Sequence, residues 1–114
     1  MKDFRKIHVW SKAHEMTLAI YESTKPFPKE ETYGLVSQIR RAAASIGANI
    51  AEGCGKNSNA DFSRYLQVAF GSACELEYHL LLARDLKILH TLEHSQLETR
   101  LREVKKMLVH LLLR

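Results

Sequence analysis

The most regular apolar pattern in the chain lies in residues 35–53, which read LVSQIRRAAASIGANIAEG. Residues at alternating spacings of four and three fall on one helical face there, and they are Leu35, Ile39, Ala42, Ile46, Asn49 and Gly53. Such a seam is typical of helices that pack lengthwise against other helices. We predict a helix over residues 31–54, ended by left-handed glycines at positions 53 and 55.

One further helix is predicted before this segment and two are predicted after it. Pro26 and Pro28 end the first, because proline lacks a backbone donor and restrains the residue before it. Ser58 precedes the third helix as its N-cap, with Asp61 three residues later. Short connections favour antiparallel neighbours, so we predict an all-α fold, an antiparallel up-down-up-down four-helix bundle in one domain. The domain covers residues 1–114, and its helices cover residues 6–25, 31–54, 58–89 and 93–113.

The composition agrees with a globular helical protein and excludes several other classes. The chain has 114 residues, of which 46% are hydrophobic and 26% are charged, and this balance excludes a disordered chain. It holds five Gly and two Pro, too few for a turn-rich β-sandwich or barrel. No apolar run reaches the length of a membrane span and no signal peptide is visible. We therefore expect a cytoplasmic protein without a membrane partner.

The sequence contains no constellation that indicates catalysis. No histidine follows a Glu by three residues, so the Glu-x-x-His pairs of di-iron bundles are absent. His90 and His94 are four residues apart, a spacing at which two histidines on a helix can bind one metal ion. They have no obvious third ligand, and we expect both to be solvated. Cys54 and Cys74 are the only thiols, and we expect both to be reduced, with Cys74 on or beside the core face. We expect no enzyme, no catalytic residue, no cofactor, no metal and no small-molecule substrate.

A polar stripe runs beside the seam of the second helix. Its members recur at spacings of three and four, and they are Gln38, Arg41, Ser45, Asn49 and Glu52. Two interpretations stay open, because these side chains either hydrogen-bond across helices and fix their register or form a recognition face. Arg40 points about 100° away from Arg41, so the two cannot clamp one ligand.

In two segments, apolar residues cover more of the helix circumference than the burial of one face requires. The run from Leu80 to Leu89 is apolar nearly all round its predicted helix, and Met107–Leu113 repeats this feature. A surface helix should keep a polar face, so we expect another subunit to cover the second apolar face. A few scattered surface leucines are the competing interpretation. The predicted interface residues are Leu82, Leu86, Leu89 and Leu112.

Several short motifs resemble the 23S rRNA intervening-sequence protein family. The most specific is Asn49-Ile50-Ala51-Glu52-Gly53, which follows Gln38-Ile39-Arg40-Arg41-Ala42-Ala43. The chain differs from the family pattern at Gly47-Ala48, and this difference does not alter the expected fold. The resemblance extends over about residues 4–113, and its remaining motifs are Tyr33-Gly34-Leu35, Val9-Trp10, Phe27-Pro28, Gly71-Ser72 and Glu75-Leu76.

The resemblance implies a non-enzymatic bundle that assembles into a ring of five. Genes of the family lie within intervening sequences of bacterial 23S rRNA genes, and elsewhere. The chain is also similar to the accessory protein of diversity-generating retroelements, whose pentamer binds a reverse transcriptase and nucleic acid. The expected partners are therefore further copies of the chain, in a homopentamer, and RNA or a reverse-transcriptase-like protein.

Charge is the only feature of the sequence that itself points towards nucleic acid. The formal net charge of +4 becomes larger in an oligomer, which favours a polyanionic partner. Two functions remain: a scaffold that binds RNA or an RNA-handling protein, and an oligomeric protein-interaction scaffold with no nucleic-acid role. For any single cation, a solvated surface position is the competing interpretation. The predicted phosphate-contacting residues, chosen by charge and position, are Lys12, Arg40, Arg41, Lys56 and Arg64.

Overall fold

The structure, a computed structural model, describes residues 2–114 as four α-helices, which are α1 (His8–Thr24), α2 (Ser37–Cys54), α3 (Asn59–Asp85) and α4 (Thr91–Leu112). Short turns follow α2 and α3, and residues 25–36 connect α1 to α2. The helix α2 packs mainly on α1 and α3, while α4 packs on α3 and α1, so the four close into a bundle. The residues so described contain no β-strand, and the prediction of an all-α up-down-up-down bundle is confirmed. None of these helices is both long and apolar enough to cross a membrane.

The predicted seams form the core of the bundle. Each helix turns one apolar stripe inward, because its large side chains recur every three or four residues. In α1 this stripe includes Met16 and Ile20, and in α2 it includes Ile39 and Ile46, all fully buried. The buried seam residues of α3 and α4 are Leu66, Ala69, Ala73, Leu76, Leu80, Ala83, Leu97, Leu101, Val104 and Leu108.

The regular part of α2 begins later than predicted. A 3₁₀ turn and a π-helical turn, Thr32–Val36, replace the expected first turns. Within them Gly34 has φ −108° and ψ −105°, values outside the helical region, so the chain kinks there. The Glu31 carboxylate accepts a hydrogen bond from the Leu35 amide at 3.1 Å and satisfies a donor that the kink leaves free. The helix therefore starts at Ser37 and not at residue 31.

The left-handed residue expected at the end of α2 lies instead at the end of α3. Gly55 has φ −81°, and no glycine among residues 2–114 has a positive φ. Lys87 has φ 63°. Its amide and that of Ile88 donate to the carbonyls of Arg84 and Ala83, which completes a Schellman motif. The predictions of left-handed glycines and of a third helix reaching residue 89 are wrong, since α3 ends at Asp85.

Gly53 is required by packing and not by a turn. It is buried in the last turn of α2, where α3 begins alongside it. A Cβ atom at this position would lie 2.9 Å from Cβ of Tyr65 and 3.3 Å from Cδ1 of Phe62. Real Cβ contacts are longer than that, so only glycine lets the two helices come this close. The approach presses the aromatic pair Phe62 and Tyr65 against the end of α2.

Two expectations about single side chains are also wrong. His94 is only 3% exposed, because α4 begins at Thr91 and places His94 one turn before the seam residue Leu97. Cys74 is exposed, since it follows the buried Ala73 and turns to the outer face of α3. Cys54 is buried, and burial raises the pKa of its thiol. Both cysteines are free thiols.

Candidate nucleic-acid interface

Two of the predicted phosphate-contacting residues are already engaged within the bundle. Nζ of Lys12 lies 3.5 Å from Oε1 of Glu103 on α4. Arg40 donates from Nε to Oγ1 of Thr24 at 2.9 Å, and its guanidinium lies over the ring of Tyr21. These contacts tie α1 to its two neighbouring helices and explain both side chains without a ligand.

A third predicted residue, Arg41, belongs to a polar network between α2 and α3. Its guanidinium forms an ion pair with Glu75, whose carboxylate also accepts a hydrogen bond from Nε2 of His79 at 3.0 Å. The hydrogen bond from His79 and the contact with Arg41 lower the pKa of Glu75. One turn along, Oγ of Ser45 lies 2.9 Å from Oγ of Ser72. The polar stripe of α2 therefore has a structural role along most of its length.

The remainder of the stripe fits the same interpretation in part. Nδ2 of Asn49 donates to the carbonyl of Ser45 at 2.8 Å, so the amide is satisfied within α2. Glu52 is exposed at the end of the helix. As predicted from their angular separation, Arg40 turns towards α1 and Arg41 towards α3.

The last two predicted residues, Lys56 and Arg64, flank one aromatic ring. Nζ of Lys56 is 5.2 Å and Cζ of Arg64 is 5.0 Å from the ring centroid of Tyr65. Nζ of Lys2 is 4.3 Å from the ring centroid of Phe62. Three cations thus meet two aromatic rings where α3 begins. Lys2, Phe62 and Tyr65 were not predicted from the sequence, although the two aromatic residues lie three apart beside Lys56 and Arg64.

Local structure holds this cluster in place. The backbone amide of Lys2 donates to the carbonyl of Cys54 at 2.8 Å, which ties the first residues to the end of α2. Oγ of Ser58 accepts from the amide of Asp61 at 3.1 Å, which confirms the predicted N-cap and fixes the start of α3. A shallow cleft opens beside the cluster, and Lys2, Phe62 and Arg114 lie on its wall. Arg114 therefore adds a fourth cation.

Charge is distributed unequally between the two ends of the bundle. Residues 2–6, 52–64 and 110–114 form one end, which we call the basic end, with six Lys or Arg and three Asp or Glu. Residues 22–33 and 84–93 form the opposite end, with four Lys or Arg and five Asp or Glu. Lys2 and Lys56, packed on aromatic faces at the basic end, keep their charge at the surface while their long side chains are ordered. Arg64 lies over Tyr65 and also pairs with Asp61 at 3.4 Å, on an exposed turn of α3. Such a surface can bind phosphate groups and stack exposed bases.

Comparison with known proteins places this chain in a family. The sequence model of the 23S rRNA-intervening sequence protein matches residues 5–110. The chain belongs to this family. A crystal structure from Bacteroides thetaiotaomicron, of a protein with unknown function from the S23 ribosomal protein family, is similar with a TM-score of 0.86. It is 29% identical in sequence, and the match covers 93% of this chain and 96% of that chain. None of the curated proteins matches.

In this family member, the motif that carried the resemblance lies at the basic end. Asn49–Gly53 forms the last turns of α2, and its Gly53 is the position that admits Phe62 and Tyr65. No group of three metal-binding side chains occurs within residues 2–114. The side chains gathered at this end offer positive charge and aromatic surface.

The predicted interface leucines occupy different environments in the protomer. Leu89 is 2% exposed, so its side chain fills the core and offers a second subunit no surface; we correct that assignment. The reason is the early end of α3, after which the chain folds Leu89 back over the bundle. Leu86 is 54% exposed beside the Schellman motif, while Leu82 and Leu112 are half-buried against the core. Their contact with a second subunit stays a prediction.

Proposed function

We propose that this family member is a non-enzymatic, self-assembling scaffold that binds RNA through its basic end. The observation that carries the proposal is the convergence of Lys2, Lys56 and Arg64 on the rings of Phe62 and Tyr65. Cations interleaved with aromatic rings suit both phosphates and unpaired bases. No base-reading motif is present, so we expect affinity to depend on salt and to tolerate changes in RNA sequence.

Self-assembly strengthens the proposed RNA binding. The family resemblance favours a ring of five, in which copies related by rotation present the same end of the bundle on the same face. Weak sites on each copy then act together, and linked sites bind much more tightly than single ones. A reverse-transcriptase-like protein bound to that RNA is compatible with this arrangement, and we place the assembly in the cytoplasm.

A charge-reversal experiment tests the RNA site. We compare the double variant Lys56→Glu/Arg64→Glu with a matched control at the opposite end, Lys29→Glu/Lys87→Glu, which changes the net charge equally. Binding of a labelled structured RNA is followed by fluorescence anisotropy at roughly 50 and 200 mM salt. We expect the basic-end variant to bind at least about tenfold more weakly and to lose about two units of salt slope. The control should stay within about threefold of the wild type.

Two outcomes would contradict the proposal. Equal losses in both double variants would mean that overall charge, and not the basic end, governs binding. Absence of wild-type binding at the lower salt concentration would remove RNA as a partner. The second result would favour the alternative function, an oligomeric protein-interaction scaffold with no nucleic-acid role.

A further inference from the structure

An aromatic-walled groove runs between α1 and α2 on the surface of the bundle. Trp10, His14 and Tyr21 line it from α1, and the ring of His14 stacks on Trp10 with centroids 4.9 Å apart. Small side chains of α2, including Ala44 and Ala48, line it opposite these rings. None of the residues that line the groove is Lys, Arg, Asp or Glu. Two cations pack on rings at its ends, Arg40 over Tyr21 and Arg5 over Phe4. The middle of the groove, at Trp10 and His14, can be covered without desolvating an ion.

A matching ridge runs along the outer face of α3. The residues of α3 that are exposed between Tyr65 and Arg84 are uncharged. The half-exposed carboxylates Glu75 and Glu77 lie beside them and are paired within the protomer, with Arg41 and Lys105. The outer face of α4, in contrast, exposes charged residues such as Arg102 and Lys106. The ridge spans about 20 Å and the aromatic wall of the groove about 17 Å, at 1.5 Å per helical residue. The exposed residues of the ridge are Gln67, Val68, Gly71, Cys74, Tyr78 and Leu81.

No close contact within the protomer requires a glycine at position 71 on this ridge. A Cβ atom there would meet nothing within 4 Å, and the residue lies in the middle of α3. A glycine inside a helix costs about 1 kcal/mol relative to alanine. A close approach of another chain accounts for a residue without a side chain at this position. In the groove, Gly47 likewise has room for a Cβ, at 3.4 Å from Nε1 of Trp10.

We propose that the α1–α2 groove of one copy receives the α3 ridge of a second copy. This inference rests on the proposed self-assembly and names the two surfaces that carry it. The groove and the ridge lie on different faces of the bundle, because α3 contacts α2 and α4 while α1 lies across from it. The contact is therefore head-to-tail, and such contacts generate rings when the rotation closes. An RNA strand fits the middle of the groove less well, because the cations on its rings, Arg5 over Phe4 and Arg40 over Tyr21, lie at its two ends.

Mixing two variants tests this pairing directly. Ala48→Arg places a charge in the groove and leaves the ridge intact, whereas Gly71→Arg places a charge on the ridge and leaves the groove intact. Both positions are exposed, and arginine is a better helix former than glycine and only slightly poorer than alanine, so each protomer should fold. Thr99→Arg on the charged outer face of α4 is the matched control. Masses are measured by light scattering, with circular dichroism to confirm that helix content is unchanged.

The head-to-tail contact predicts a specific set of masses. Each variant alone should associate at least about 100-fold more weakly than the wild type and give the 13.1 kDa monomer, because the introduced charge would be buried unpaired. The mixture should give a heterodimer of twice that mass, formed by the one intact groove and the one intact ridge. Thr99→Arg should keep the wild-type mass.

The possible failures are distinguishable. A monomeric wild type at micromolar concentration would overturn self-assembly and the proposed function with it. A wild-type oligomer that survives both substitutions would overturn only the groove-and-ridge contact. Dissociation of both variants without a heterodimer in the mixture would overturn the head-to-tail pairing and favour a contact of like surfaces or a different protein in the groove.

Discussion

The close approach of α2 and α3 at Gly53 predicts that Gly53→Ala destabilises the protein. The added Cβ would lie 2.9 Å from Cβ of Tyr65, and ordinary contact begins at 3.4 Å, so the helices must separate by about half an ångström. Overpacking of this kind costs about 1–3 kcal/mol. Alanine recovers about 1 kcal/mol through its better helix propensity. We expect a net loss of about 1 kcal/mol in the free energy of unfolding.

Gly71→Ala provides the matched control for the same chemical change. No atom lies within 4 Å of the new Cβ, so the variant should gain the propensity term of about 1 kcal/mol. The two variants should then differ by about 2 kcal/mol, or by several degrees in Tm. Urea unfolding at several protein concentrations separates this difference from any change in association. A Gly53→Ala variant that is stabilised like Gly71→Ala would refute the close approach.

Three further predictions follow from local geometry. Because the hydrogen bond from His79 and the Arg41 ion pair lower the pKa of Glu75, its carboxylate should stabilise the fold above the ordinary value of 4.5 and lose that effect as pH falls through the lowered pKa. Urea unfolding should therefore show Glu75→Gln less stable than the wild type at pH 7, with the gap closing in acid; a constant gap would contradict this. Lys87→Gly should raise the free energy of unfolding by about 0.5–1 kcal/mol, since Lys87 has a left-handed φ of 63°; a loss would argue against the Schellman motif. Ser58→Ala should lower it by about 1 kcal/mol through loss of the N-cap, and an unchanged Tm would contradict the cap.

The bundle could be predicted from apolar spacing because that spacing reports which face of a helix is buried. Ile39 and Ile46 of α2 lie in the core as their period requires. Helix ends were harder to predict, since they depend on backbone angles that side-chain type constrains weakly. Glycine favours a left-handed stop, yet Gly53 serves packing and Lys87 takes the left-handed angle. Packing against α3 therefore decided the role of Gly53, while at the end of α3 the local hydrogen bonds of a Schellman motif hold a lysine in the left-handed conformation.

Only part of the candidate site could be predicted from the sequence. Lys56 and Arg64 could be chosen for their charge beside a turn, but Lys2 joins them through a backbone hydrogen bond to Cys54 across 52 positions of sequence. Lys12 was also predicted to contact phosphate because of its charge. Its partner Glu103 lies near the end of the sequence and becomes a neighbour only in the folded bundle. Which cations remain available to a ligand is a property of packing.

Lysine footprinting tests most directly whether the basic end contacts RNA. Acetylation rates of individual lysines are measured by mass spectrometry with and without saturating RNA at low salt. We expect RNA to slow modification of Lys2 and Lys56, which lie over Phe62 and Tyr65, at least several-fold. The rates at Lys29 and Lys87, at the opposite end, should not change. Equal protection at both ends, or protection confined to Lys29 and Lys87, would contradict the account.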